Sequence, residues 1–273
     1  MALPNEISLH KLSRLVGTHE CPIIIDFCID EDFSEDPRLI PSAIRHPHTE
    51  ISNLVPVLEG KKVIAVCQKG LKISQGAATV LRTCGIDCKY LEGGVHGWRD
   101  TGLPLIPYAK VPERNPQNHT LWVTRLRPKI DRIACPWLIR RFIDPNAKFL
   151  FVSSSQVNNV AEKFNATAFD VEGAYWGHRG DDCTFDTMIK EFCLETEALT
   201  EFAKIIRGAD TNNLNFTPQV PGFLAASLGL SRIYKHDLEQ LDASMVLYDA
   251  YYRWLRDAHN EVHNSHSKIV RAS

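Results

Sequence analysis

Cys67 stands where an apolar run, Val63 to Val66, gives way to six polar or small positions and then to a helical pattern in which Ala77, Leu81 and Cys84 recur at three to four residues. That order reads as strand, loop, helix, with a thiol at the strand end. Backbone N–H groups of such a loop, and the positive end of the helix after it, favour the thiolate, which is the nucleophilic form. The loop Gln68, Lys69, Gly70, Leu71, Lys72 and Ile73 holds a glycine that lets the chain curl and two lysines that attract an anion. An activated thiol facing an anionic substrate is one reading of this stretch. A small buried residue closing a strand is the other.

Two further groups could do chemistry. Arg125, Arg127, Lys129, Arg132, Arg140 and Arg141 set six cations against one anion, Asp131, within seventeen residues. Apolar Ile130, Ile133, Ala134, Trp137, Leu138 and Phe142 recur at helical spacing among them, and Pro136 either kinks that helix or begins a new one. The second case would leave Cys135 beside a helix amino end and among arginines, again favouring a thiolate, so Arg125, Asp131, Arg132 and Cys135 form a candidate site. The remaining group is Glu172, His178, Asp182 and Cys183. Mixed oxygen, nitrogen and sulfur donors suit Zn or Fe better than Mg or Ca, although their spacing matches no standard site. The competing reading makes Asp181 or Asp182 the cap of a helix starting near Cys183, with Phe185, Met188, Ile189, Phe192 and Cys193 as its buried stripe.

The elements that must position these residues follow from the pattern. Ile23 to Asp26, Val63 to Val66 and Cys88 to Leu91 read as strands of a first domain over residues 1–105. A run with four prolines between Thr101 and Thr120 excludes helix interior and central strand, which places a linker at 106–120. A second, helix-rich α/β domain is expected over 121–258. Its strands are Leu121 to Thr124, Lys148 to Val152 and Ala168 to Val171, with helices over Val157 to Phe164, Glu197 to Arg207 and Gly222 to Leu230. A last helix carries Leu238, Leu241, Met245, Tyr248, Tyr252 and Leu255 in a seam of less than three heptads, which favours core packing, with a homodimer as the alternative. The polar tail 259–273 is expected to be disordered.

The first domain resembles the rhodanese-type sulfurtransferases. Ile23-Ile24-Ile25-Asp26, Leu39-Ile40-Pro41-Ser42-Ala43-Ile44, the Cys67 loop and Leu91-Glu92-Gly93-Gly94-Val95-His96-Gly97-Trp98 occur in that family's order. The resemblance implies a parallel sheet flanked by helices and a persulfide formed on Cys67. The donor would be a small anion such as thiosulfate and the acceptor a thiol or cyanide, with no cofactor required. Two departures concern the substrate: Cys28 stands where the family carries arginine, and the spacing from Cys67 to Gly76-Ala77-Ala78 is one residue longer than usual.

The second domain resembles the C-terminal domain of the chromate-resistance protein ChrB, through Val123-Thr124-Arg125, the block Pro128 to Asp144, His178 to Phe185, Arg207 to Thr211 and Ser227 to Ser231. That resemblance implies a role in chromate response. Full-length members differ in their N-terminal region, so nucleic acid is not expected as a partner here. Two functions stand: a sulfurtransferase whose second domain binds a metal or an oxyanion, and a sensor-regulator in which the first fold only binds an anion.

Composition sets the frame for both. Forty-four per cent apolar and 23% charged residues are ordinary globular values, and a net charge of −2 gives no overall pull toward nucleic acid or anionic membrane. Eight cysteines without a C-x-x-C pair are expected to be mostly free thiols in a reducing compartment. Residues 1–20 lack the apolar core of a signal peptide, and no run approaches the roughly 18 apolar residues of a membrane span, so a cytoplasmic location is expected.

Overall fold

The computed structural model describes residues 5–261; most of the tail at 259–273 lies outside them. The first half begins with β1 (Glu6–Ile7), α1 (Leu9–Leu15), β2 (Ile23–Asp26), α2 (Asp30–Glu35), β3 (Arg38–Leu39), β4 (Ile44–Arg45) and α3 (Val55–Leu58). It continues with β5 (Lys62–Val66), α4 (Lys72–Thr83), β6 (Asp87–Leu91), α5 (Gly94–Asp100) and β7 (Ile106–Pro107). Five strands form a parallel sheet in the order β1-β6-β5-β2-β4. Its central strands read IIID and KVIAV, β-branched runs suited to a sheet covered on both faces. The small strand β7, at the start of the proline-rich stretch, pairs antiparallel with β3.

The second half runs β8 (Leu121–Arg125), α6 (Asp131–Leu138), β9 (Lys148–Val152), α7 (Val157–Phe164), β10 (Thr167–Ala168), α8 (Thr184–Glu191), α9 (Glu197–Asp210), α10 (Val220–Ile233) and α11 (Asp237–Asp257). Its three parallel strands lie in the order β10-β8-β9. The molecule is thus a parallel α/β half followed by a mixed, helix-rich α/β half. The two halves share one continuous apolar core, which extends from Leu12 and Trp98 to Phe142, Phe202 and Tyr252. A smaller cluster around Phe27, Ala65 and Leu81 fills the other face of the first sheet. Gly17 at φ +78 makes the joint possible, since a Cβ there would lie 2.4 Å from the Phe142 ring. Arg256 of α11 closes it by donating to the carbonyls of Val16 (3.2 Å) and Arg14 (3.1 Å).

Some elements depart from the sequence expectation, and one decides a choice it left open. Of the two readings of Pro136, α6 takes the continuous helix, and the following turn widens to a π-helix over Ile139–Ile143. Proline removes one helical hydrogen bond, and a widened turn nearby absorbs that distortion. Cys84 is exposed because α4 ends at Thr83 and Cys84 becomes its cap rather than the next member of the apolar stripe. Cys193 is exposed for a related reason: α8 ends before it and the residue turns out at φ +54. On α11, Leu241, Met245, Tyr248 and Tyr252 enter the core, whereas Leu238 is 52% exposed.

Candidate functional site

Cys67 leaves β5 at its carboxyl end and is 5% exposed. Its Sγ donates to Ser74 Oγ at 3.1 Å, and Ser74 Oγ donates to the Leu71 carbonyl at 3.3 Å. If Cys67 ionises, the Ser74 hydroxyl can reverse and donate to the thiolate. No side chain caps the amino end of α4, which leaves first-turn amides available to an anion. Gly94, at φ +57, holds the loop shut from below: a Cβ there would lie 2.2 Å from the Cys67 carbonyl and 2.4 Å from the Gly70 amide. Val95 N and His96 N donate to the carbonyls of Cys67 and Gln68 at 3.1 and 2.9 Å. The Gly93-Gly94 turn is therefore the floor on which the cysteine loop rests.

The six loop residues divide by role. The Gln68 side chain donates to Glu35 Oε2 (2.8 Å) and the Asp32 carbonyl (3.3 Å), so it ties α2 to the loop instead of facing an anion. Gly70, at φ +68, is pressed against Leu91 and the Gly93-Gly94 amides. Ile73 packs against the smaller core, and Lys69, Leu71 and Lys72 are exposed. Asp26 and Arg45 are register partners on neighbouring strands. Arg45 thus stands beside Asp26 where Cys28 offers no cation, although its own bonds go to the Cys28 carbonyl (3.0 Å) and Asp30 (2.9 Å).

A second site lies in the other half. His178 Nε2 is 3.2 Å from Asp170 Oδ1, 3.5 Å from Asp131 Oδ2 and 3.8 Å from Asp210 Oδ2. Asp131 opens α6 after Ile130, whose φ of +41 is rare for a β-branched residue. Its carboxylate accepts from the amides of Thr184 (2.8 Å) and Phe185 (3.0 Å), which fixes the amino end of α8. Asp170 accepts from Thr184 Oγ1 (3.0 Å) and pairs with Arg125 (3.1 Å) and Arg132 (3.2 Å). The hydrogen bond to Asp131 and the three surrounding carboxylates push His178 up to about 9. Burial, together with the charges of Asp131 and Asp170, raises Asp210 to about 6.

The sequence-level candidates sort as follows. Arg125, Asp131, Arg132 and Cys135 converge on this cluster, yet Cys135 is fully buried in the interior of α6 and donates to Asp131 Oδ1 at 3.6 Å. Burial and the neighbouring Asp131 hold it protonated, contrary to the thiolate reading, because the helix does not restart at Pro136. Glu172, His178, Asp182 and Cys183 are not brought together. Glu172 is exposed, Asp182 pairs with Lys190 (2.5 Å) and Arg207 (3.0 Å), and Cys183 caps α8 with its thiol on Asp186 (3.1 Å). Asp170, Asp210 and Ser74 were missed. The basic run is largely spoken for: besides Arg125 and Arg132, Arg140 pairs with Asp242 (2.7 Å) and Arg141 with Asp249 (2.7 Å), both on α11.

The fold and the two sites define a parallel α/β domain with a cysteine at a strand-to-helix junction, packed on a helix-rich domain that gathers carboxylates around an imidazole. Residues 122–255 match the family described as ChrB, C-terminal domain. Protein ChrB of Cupriavidus metallidurans is 33% identical over 156 residues, 55% of this chain and 46% of that protein, so the chain spans about half the length of the curated relative it matches. Solved structures similar to the chain include proteins described as rhodanese-related or rhodanese-like. A rhodanese-related protein from Thermoplasma volcanium is 22% identical, with 37% of this chain and 97% of that one covered at a TM-score of 0.33. A thiosulfate sulfurtransferase from Pseudomonas aeruginosa is 20% identical, with 38% and 19% covered at a TM-score of 0.32. Among the described residues no helix is long and apolar enough to cross a membrane.

Proposed function

We propose that the chain is a sulfurtransferase that carries sulfur as a persulfide on Cys67, with its ChrB-like half serving as a cation-binding module. The observation that carries the first part is the position of Cys67: its thiol meets Ser74 Oγ at 3.1 Å beside an uncapped helix amino end. The thiolate attacks the outer sulfur of thiosulfate, sulfite leaves, and the new S–S bond holds sulfane sulfur among the loop amides. A thiol or cyanide then takes that sulfur and restores the thiolate. Cys67→Ser is expected to abolish thiocyanate formation from thiosulfate and cyanide; turnover at the wild-type rate in that variant would refute the assignment.

A separate observation favours the cation reading of the second half. The ligand atoms of Asp131, Asp170 and His178 lie within 4.8 Å of one another. The 3.2 and 3.5 Å imidazole-to-carboxylate separations match the ligand spacing of about 3.0–3.5 Å expected around a metal with bonds of about 2.1 Å. Both carboxylates are oriented by other partners, as ligands need to be. Two oxygens and one imidazole nitrogen suit Zn or Fe(II). Three carboxylates around the imidazole argue against an oxyanion there. Titration of the chain with Zn, followed by calorimetry, is expected to show one site that His178→Ala removes. Equal binding by wild type and variant would refute it.

A further inference from the structure

The smaller of the two core clusters is open on one flank. β4 is two residues long and pairs with β2 only through Ile44 opposite Ile25 and Arg45 opposite Asp26, so among the described residues no strand pairs with Ile23 on that side. A cavity of 360 Å³ lies there, within the range of about 300–1,000 Å³ usual for small-molecule sites. Its apolar wall is Ile23, Ile25 and Ile44 of the sheet, with Leu54, Val57 and Leu58 from α3 and the turn before it. Ile25 and Ile44 are register partners and Ile23 stands two residues before Ile25, so the three side chains share one face of the sheet.

The polar wall has a single sign. No lining residue is acidic, whereas Lys61 and Lys148 both line the cavity, and neither forms an ion pair among the described residues. The loop ahead of β8 adds donors. Asn115 Oδ1 accepts from Gln117 N (3.1 Å) and His119 N (3.2 Å), which settles the end of that amide that is oxygen. Asn115 Nδ2 therefore donates to His119 Nε2 at 2.9 Å, and the neutral His119 ring keeps its own hydrogen on Nδ1. The exposed side-chain amides of Gln117, Asn118 and Asn146 stand on the same wall. His46 contributes no such donor when neutral, because its Nδ1 hydrogen goes to the Pro47 carbonyl at 3.0 Å.

We propose that this cavity binds a small amphipathic anion. An apolar body rests against the six aliphatic side chains, and one carboxylate or sulfonate is held by Lys61, Lys148 and the donors of the 117–119 loop. A bare inorganic oxyanion fits poorly, since half of the lining would strip its hydration and return no hydrogen bond. A neutral apolar molecule would leave both lysines unused. The apolar wall belongs to the first half, while Lys148 begins β9 of the second, so the ligand touches both halves and stabilises their joint.

The test titrates the full chain with anilinonaphthalene sulfonate and, separately, with phenylnaphthylamine, the same aromatic body without the sulfonate, and follows probe fluorescence. Wild type is expected to bind one equivalent of the sulfonate about tenfold more tightly than the neutral amine, and decanoate is expected to displace it. A double variant, Lys61→Glu with Lys148→Glu, is expected to lose that preference. Val57 is 60% exposed, so Val57→Glu places a carboxylate on the apolar wall without burying it; it is expected to weaken the sulfonate about tenfold and decides the matter alone if the lysine variant melts early. Equal affinity of wild type for the two probes overturns the proposal, as does the absence of saturable binding. A preference for the sulfonate that survives in both variants places the probe elsewhere on the surface and overturns it too.

Discussion

Replacing Gly94 by alanine tests whether the Gly93-Gly94 turn is the floor of the cysteine loop. The backbone there is at φ +57, where an L side chain costs about 1–2 kcal/mol. Gly60 sits at φ +71 with nothing within 4 Å of a built Cβ, so Gly60→Ala should show that backbone cost alone. At Gly94 the new methyl would also lie 2.2 Å from the Cys67 carbonyl, 2.4 Å from the Gly70 amide and 2.9 Å from the Gln68 carbonyl. All three are backbone atoms that cannot swing aside, so the loop must lift by about 1 Å to reach ordinary contact. Displacement of this kind costs a further ~1–3 kcal/mol, giving about 2–5 kcal/mol in total. Urea unfolding of the two variants reads the difference, and the rate of Cys67 alkylation by iodoacetamide reads the loop: it should rise in Gly94→Ala and stay unchanged in Gly60→Ala. Equal destabilisation and equal alkylation in the two variants would refute the reasoning.

Two further outcomes follow from the joint between the halves. Phe142 is 3% exposed, lies against the Trp137 and Tyr252 rings at 5.9 and 5.6 Å, and fills the space that Gly17 leaves open; Phe142→Ala should cost about 3–5 kcal/mol in a thermal melt that lowers the transition of both halves together. Glu191 takes bonds from Lys110 (2.6 Å), Tyr175 and Arg179 (2.5 Å), which hold it down at about 2. Because its folded value lies below the unfolded one, its stabilisation is complete above about pH 4.5 and disappears as the pH falls toward 2. An acid titration of stability should show a loss of ~1–2 kcal/mol in that window that Glu191→Gln lacks.

The cysteine site was legible because its parts are local. Strand, loop, helix and the Gly93-Gly94 turn fall within residues 63–98, and each carries its own signal: β-branched residues before the thiol, glycine where φ is positive, a helical stripe after it. Ser74 escaped notice because a serine in the first turn of a helix reads as an ordinary helix-start residue. The second site was legible only in pieces. His178 and Asp131 each stood out, but in different groups, since the chain places them far apart and only the packing of α8 against α6 joins them. An aspartate at the start of a helix reads as the cap of its own helix, and Asp131 does open α6. Its carboxylate, however, accepts from Thr184 N and Phe185 N and so caps α8 instead. That crossing brings the loop before α8, with His178 in it, back over α6. The same contact turns the acid away from its own amides toward the imidazole, and the positive φ of Ile130 is the local bend that accompanies it. No periodicity reports a carboxylate that serves another element's helix. For Cys135, one turn further along α6, the pattern left two readings open because a proline fits both a helix start and a kink; the helix continues through Pro136 and relaxes into the π-turn at Ile139–Ile143, which keeps Cys135 packed.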